Sequence, residues 1–239
     1  VSRLHTPRAG FWIRLCVVII YPICSLLFRI RWRHLDRMPA EGGVIVVINH
    51  VSHIDTVLMA RLIWQSGRIP RFMIKSGVFE KPVLGAIMRG SKQIPVARGT
   101  ADASKSLDAA VTALKAGEAV IIYPEGTITR DPQQWPMQAK SGLARLVLMV
   151  PDIPVVPIGQ WGAQKIHGNR LAWFTRRRVG ASIGEPLDMS ALAGAPITMD
   201  GLRRVTDQIM RAVRVEVAQV RGLTPPDAFY RPKSKTQGG

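Results

Sequence analysis

Five consecutive β-branched residues, Val44–Ile48, run straight into the polar cluster Asn49-His50-Val-Ser-His-Ile-Asp55. An unbroken apolar run of that length predicts a parallel strand covered on both faces, because a half-exposed strand alternates apolar with polar. Similar runs at 118–123, 153–158 and 178–183 predict further strands, with shorter extended pieces at 71–75 and 92–96. Between them the apolar positions recur at helical spacing over 54–65, 82–88, 101–116 and 141–149. Leu107, Val111 and Leu114 share one helix face, and Gly117 stops that helix. A basic amphipathic helix over 200–220 follows. Helices between buried strands predict an α/β fold, a mostly parallel central sheet flanked by helices, spanning 39–223. Residues 224–239, rich in Pro, Lys and Gly, read as a flexible tail.

The stretch before this fold, 1–38, has a different pattern. Leu15 to Phe28 carry no charge over 14 residues, and Arg14 and Arg29 bracket them. A spanning helix needs about 20 apolar residues, so the run is short for one. Arg3, Arg8, Arg31, Arg33 and Arg37 crowd the flanks, with Trp12, Tyr21 and Trp32 at the borders. That arrangement predicts a membrane-interacting helical segment lying in the interface of an anionic leaflet, monotopic or peripheral. A spanning helix, a core helix and a signal peptide are the competing readings. Pro22 predicts a bend, and with it a re-entrant or two-part hairpin in place of a straight span.

Charge sharpens the picture without deciding it. The chain of 239 residues has 33 Lys and Arg against 16 Asp and Glu, a net charge of +17 and a pI near 11. Nucleic acid, an anionic membrane surface and phosphorylated substrates all fit such a balance. Aromatic residues make up only 6%, too few for a base-stacking platform, so no nucleic-acid partner is expected. Cys16 and Cys24 are the sole cysteines and fit neither a disulfide framework nor a metal site, which points to a reducing, cytoplasmic setting.

The candidate chemistry lies where three apolar strands empty into polar loops. His50 and Asp55 are five residues apart, and on one ideal helix their side chains would diverge by about 140°. Across a strand-to-helix turn the carboxylate can fold back onto the imidazole and fix its tautomer, leaving the other nitrogen to accept a proton. The second loop supplies Glu125, Gly126 and Thr127. Glycine there admits a close substrate approach and can leave an N–H facing a developing oxyanion. Arg98 and Arg130 are guanidinium groups suited to a phosphate. No G-x-S-x-G elbow is present, so a base without an enzyme nucleophile would activate a substrate hydroxyl or water.

At these residues the chain resembles the glycerolipid acyltransferases, most closely the 1-acylglycerol-3-phosphate O-acyltransferases of the bacterial PlsC type. Asn49-His50-Val-Ser-His-Ile-Asp55 matches the family's N-H-x-x-x-x-D block in full. Gln93-Ile-Pro-Val-Ala-Arg98-Gly99 is similar to the second block, with Ile74-Lys75-Ser76 before it. Tyr123-Pro-Glu-Gly-Thr-Ile-Thr-Arg130 is similar to the third, F-P-E-G-T-R-S, its arginine displaced by two residues. Val155-Val-Pro157-Ile158 stands as the fourth. The resemblance implies transfer of a fatty acyl group from acyl-CoA or acyl carrier protein to lysophosphatidic acid, giving phosphatidic acid for phospholipid biosynthesis. It implies His50 as general base, Asp55 as its orienter and the Gly126 N–H at the oxyanion. Glu125 and Arg98 would hold the acceptor's polar end, and Asn49 of the first block, Lys75, Thr127, Arg130 and Lys140 would be further substrate contacts. No metal or cofactor enters beyond the acyl donor, and the site would work at the cytoplasmic face of the cell membrane. Glycerol 3-phosphate or a glycolipid as acceptor, a phosphoester hydrolase and a basic nucleic-acid-binding module are the alternative readings, and the oligomeric state is left open.

Overall fold

A computed structural model describes residues 9–97, 103–166, 177–194 and 197–232. The elements run α1 (Phe11–Leu27), β1 (Phe28–Arg33), β2 (Val44–Ile48), α2 (Asp55–Gln65), β3 (Pro70–Lys75), α3 (Pro82–Gly90), β4 (Ile94–Val96), α4 (Ala103–Lys115), β5 (Ala119–Ile122), α5 (Gly142–Met149), β6 (Val155–Trp161), β7 (Arg177–Ile183) and α6 (Met199–Arg221). Seven strands form one sheet in the order β1-β7-β6-β2-β5-β3-β4. All pairs are parallel except β6 with β7, so the sheet is mostly parallel, as the apolar runs predict.

β2 sits at the centre, and its composition follows from that place. Val44, Val46 and Ile48 point into a core shared with Leu58, Met59, Leu62 and Ile63 of α2 and Cys24 of α1. Ile45 and Val47 point the other way, against Ala110 and Leu114 of α4, Leu146 of α5 and Ile209, Val213 and Val217 of α6. All five are fully buried, which is why the run carries no polar alternation. α6 is held close to the sheet through Gly159 of β6, where an added Cβ would overlap the Val217 backbone nitrogen. Its ends are set locally: Thr198 Oγ1 accepts the Gly201 N–H at 3.0 Å, and Gly222 closes it at φ +67°.

The N-terminal segment takes a shape different from the hairpin or re-entrant turn expected of it. α1 is one 17-residue helix that continues through Pro22, and it passes directly into β1, a strand that pairs with β7. In β1 the arginines 29, 31 and 33 alternate with Phe28, Ile30 and Trp32, and the even-numbered side chains pack on the α1 and α2 side. This period of two is the strand signature, hidden in the sequence by its closeness to the apolar run. α1 buries Ile13 and Cys24 but leaves Phe11, Val18, Ile19, Ile23 and Leu26 exposed. Among the described residues no helix is long and apolar enough to cross a membrane.

Residues 224–232, expected as the start of a flexible tail, are attached to α6. The Arg214 guanidinium donates to the Ala228 and Asp227 carbonyls at 3.1 and 3.2 Å and lies 4.1 Å from the Phe229 ring centre, while the Tyr230 carbonyl accepts the Gln138 N–H. Proline and charge report solubility of a segment, and these contacts depend on the partner helix.

Candidate active site

β2 ends at Ile48, and the chain then turns around a single carboxylate oxygen. Asp55, the first residue of α2 and fully buried, accepts three hydrogen bonds at Oδ2: from the Val51 N–H at 2.6 Å, the Ser52 N–H at 2.8 Å and His50 Nδ1 at 3.0 Å. Two backbone donors and an imidazole converge because the helix start turns the carboxylate back toward the strand end. The H-x-x-x-x-D spacing is thus the span of this turn. A carboxylate on Nδ1 selects the tautomer with its proton there and leaves Nε2 as the basic nitrogen. The His50 ring stacks on Tyr123, centroids 4.4 Å apart at 26°, and Tyr123 stacks in turn near Phe72.

The main chain of His50 is held on both sides. Its N–H donates to Glu125 Oε1 at 3.0 Å, and its carbonyl accepts the Thr129 N–H at 2.8 Å. Glu125 Oε2 accepts the Met137 N–H at 2.9 Å. With a backbone donor on each oxygen and only 3% of the residue exposed, Glu125 ties the His50 and Met137 segments together, a scaffold role that the expected acceptor contact did not include. Burial pushes its carboxyl up to about 8, against the pull of the Met137 and His50 N–H groups.

Asn49 departs from its expected substrate contact for a similar reason. Its side-chain amide donates to the Gln160 carbonyl at 3.1 Å and accepts the Gln160 N–H at 2.8 Å, and Gln160 Nε2 donates to the Asn49 carbonyl at 2.8 Å. The pair continues the β2–β6 ladder past Ile48 and Ile158 with side chains in place of backbone. Gly126, the expected oxyanion donor, is also engaged: its N–H donates to the Tyr123 carbonyl at 3.0 Å in a turn with φ +71°.

Lys140 lies across this turn, its terminal atoms 3.1–3.3 Å from where a Gly126 Cβ would stand. Both residues line a cavity of about 550 Å³ whose wall also includes Tyr123, Pro124, Ser141 and Arg145. Among the described residues neither Lys140 nor Arg145 is paired with a carboxylate. Thr127 and Arg130 are exposed and lie outside this lining, and Lys75 is exposed at the end of β3. Arg98 lies outside the described residues. A second, apolar cleft runs between α1, α2, α3 and β3, lined by Ile13, Val17, Ile20, Val57, Phe72 and Ile74. Among the described residues no cluster of three or more His, Cys, Asp or Glu could hold a metal ion.

Sequence reasoning missed Gln160, Met137 and Arg145. Gln160 had a signal in the strand register, since it follows the apolar fourth block by two residues. Arg145 is the one charge in the apolar stretch Gly142–Met149. The Met137 N–H is a backbone group and carried no signal.

Fold and site define a class: an α/β enzyme whose central parallel strand delivers a His–Asp pair at its carboxyl end, with the imidazole stacked on Tyr123, a residue of the cation-lined cavity, and Tyr123 in turn near Phe72 of the apolar cleft. The chain belongs to the Acyltransferase family, whose model matches residues 29–161, more than half of its length. It is 24% identical over 204 residues to a 1-acyl-sn-glycerol-3-phosphate acyltransferase of Bacillus subtilis (strain 168), covering 84% of this chain and 94% of that protein. A chloroplastic 1-acyl-sn-glycerol-3-phosphate acyltransferase of Brassica napus is 29% identical over 168 residues, 69% of this chain and 44% of that longer protein. The crystal structure of the 1-acyl-sn-glycerophosphate acyltransferase PlsC from Thermotoga maritima matches with a TM-score of 0.66 at 20% identity, over 90% of this chain and 81% of that one, a likeness of fold.

Proposed function

We propose that the protein moves a fatty acyl group from an acyl thioester to the free hydroxyl of lysophosphatidic acid, with His50 as the general base. The observation that carries this reading is the 3.0 Å contact of His50 Nδ1 with a buried Asp55, which leaves Nε2 to take the hydroxyl proton. The resulting alkoxide attacks the thioester carbonyl. The tetrahedral intermediate collapses by breaking the C–S bond, and the leaving thiolate recovers the proton from the imidazolium, whose charge Asp55 offsets meanwhile. No covalent enzyme intermediate is involved.

Lys140 and Arg145 are suited to hold the acceptor phosphate in the polar cavity, and the apolar cleft beside Phe72 is suited to an acyl chain. The exposed apolar face of α1, with Val83 and Leu84 of α3, supports peripheral seating on an anionic leaflet, and the net charge of +17 adds attraction to the headgroups. The test uses purified protein, acyl-CoA and separate acceptors: lysophosphatidic acid, glycerol 3-phosphate, a glycolipid and water alone. Thiol release that depends on lysophosphatidic acid, with phosphatidic acid as product and loss of turnover in His50→Ala, is the expected result. Release with water alone would favour a hydrolase, and equal turnover in His50→Ala would remove the base.

A further inference from the structure

The His50 main chain is held by a loop, 129–137, whose outer side is closed by a residue far away in sequence. Arg221, the last residue of α6, lies between two indoles: its guanidinium carbon is 4.0 Å from the Trp135 ring centre and 3.9 Å from that of Trp161. It also donates to the Gln133 carbonyl at 3.0 Å. Two indole faces and one carbonyl hold the half-buried guanidinium, and the Asp131 carboxylate adds an electrostatic attraction.

Both indoles sit on segments that hold the strand end. Trp161 follows Gln160, which clamps Asn49 from both of its backbone groups and its amide. The Trp135 carbonyl accepts Thr129 Oγ1 at 2.8 Å, and the Thr129 N–H is the donor to the His50 carbonyl. Two residues beyond Trp135, the Met137 N–H holds the Glu125 carboxyl group, which in turn takes the His50 N–H. The two walls around Asn49-His50 thus meet, on their far side, at one side chain.

We propose that Arg221 is a positioning residue: by stacking between Trp135 and Trp161 it locks the 129–137 loop against β6 and thereby fixes the His50 main chain. Its effect on turnover rests on the general-base reading of His50, whereas its effect on the loop does not. Arg221→Ala opens the sandwich; Arg221→Lys keeps the charge but not the planar face, and restores only part of the effect.

The test compares wild type, Arg221→Ala and Arg221→Lys in the full chain by amide hydrogen exchange, tryptophan emission and steady-state acyl transfer. The expected result is at least tenfold faster exchange at the His50 and Thr129 amides and a red-shifted emission. A kcat about tenfold lower should accompany these changes, with each KM within about twofold and Arg221→Lys in between. Exchange at those two amides within twofold of wild type, or an unchanged kcat despite an opened sandwich, would overturn the proposal. If Arg221→Ala fails to fold, Arg221→Lys and Trp161→Leu take the same readouts and are held to the same limits. The exchange measurement needs no substrate. Wild-type protein that transfers no acyl group would therefore refute the proposed reaction alone, and unchanged protection would refute the positioning role whatever the reaction.

Discussion

Replacing Asp55 by Asn tests the site at its most connected atom. The carboxylate stands 3.0 Å from the imidazole and is fully buried, while the His50 side chain is 17% exposed. At an effective dielectric of about 20, the attraction between a carboxylate and an imidazolium at that distance is on the order of 5 kcal/mol. That attraction is present only after His50 has taken a proton, so it lowers the barrier and not merely the ground state. About 5 kcal/mol corresponds to nearly four decades in rate, an upper bound because the Asn carbonyl dipole retains part of it. A loss of kcat by about 10³-fold is expected. Stability should fall as well, by about 2–4 kcal/mol. Three charge-assisted hydrogen bonds become neutral ones, and the new NH₂ replaces Oδ1, a buried atom with no partner among the described residues. The assay is thiol release from acyl-CoA with lysophosphatidic acid, beside urea unfolding of the same preparation. A folded Asp55→Asn protein whose kcat lies within tenfold of wild type would refute this account of the carboxylate.

Other consequences are open to measurement. Because burial raises the Glu125 carboxyl to about 8, its favourable contribution is complete below about pH 4.5 and is lost as pH rises through 8. Glu125→Gln should flatten that part of the pH dependence of unfolding free energy, and parallel curves for the two proteins would contradict it. Gly159→Ala places a methyl group on the α6 backbone and should cost about 2 kcal/mol or more in urea unfolding. Gly142→Ala, with nothing within 4 Å at the start of α5, should be neutral or stabilise by up to about 1 kcal/mol. Lys140→Ala or Arg145→Ala should raise KM for lysophosphatidic acid by about tenfold, the loss of one charge-assisted bond, and leave KM for acyl-CoA within about twofold. An equal change in both KM values would count against a phosphate site. Val18→Asp with Leu26→Asp should weaken sedimentation with anionic vesicles without changing the melting temperature, since both side chains are exposed.

Membership of the Acyltransferase family gives these experiments a common frame. Two residues of the matched blocks, Asn49 and Glu125, prove to hold the scaffold around His50, and the cation-lined cavity owes Arg145 to a helix outside those blocks. Substitutions at Asn49 or Glu125 would therefore report on the geometry of the base, not on acceptor affinity. The distinction is visible in a split between kcat and KM.

Features that depend on neighbours along the chain were legible before any packing. Val44–Ile48 had to be a buried strand because five β-branched residues have no polar face, and the His50–Asp55 pair closes within six residues around one turn. Glycines at the ends of α3 and α4 marked where those helices stop, and the displaced arginine of the third block was plain as a departure. Which donors met which acceptors was set by packing. The Asn49–Gln160 pair spans 111 residues and the His50–Glu125 bond spans 75. Both depend on the register of β2 against β6 and β5, which apolar periodicity does not report. The same holds for the pairing of β1 with β7, and for Arg221, which reaches Trp135 and Trp161 across the fold. Glu125 in the sequence is a polar side chain at a strand end; that two backbone N–H groups, of His50 and Met137, lie in its reach is decided only by the folded chain.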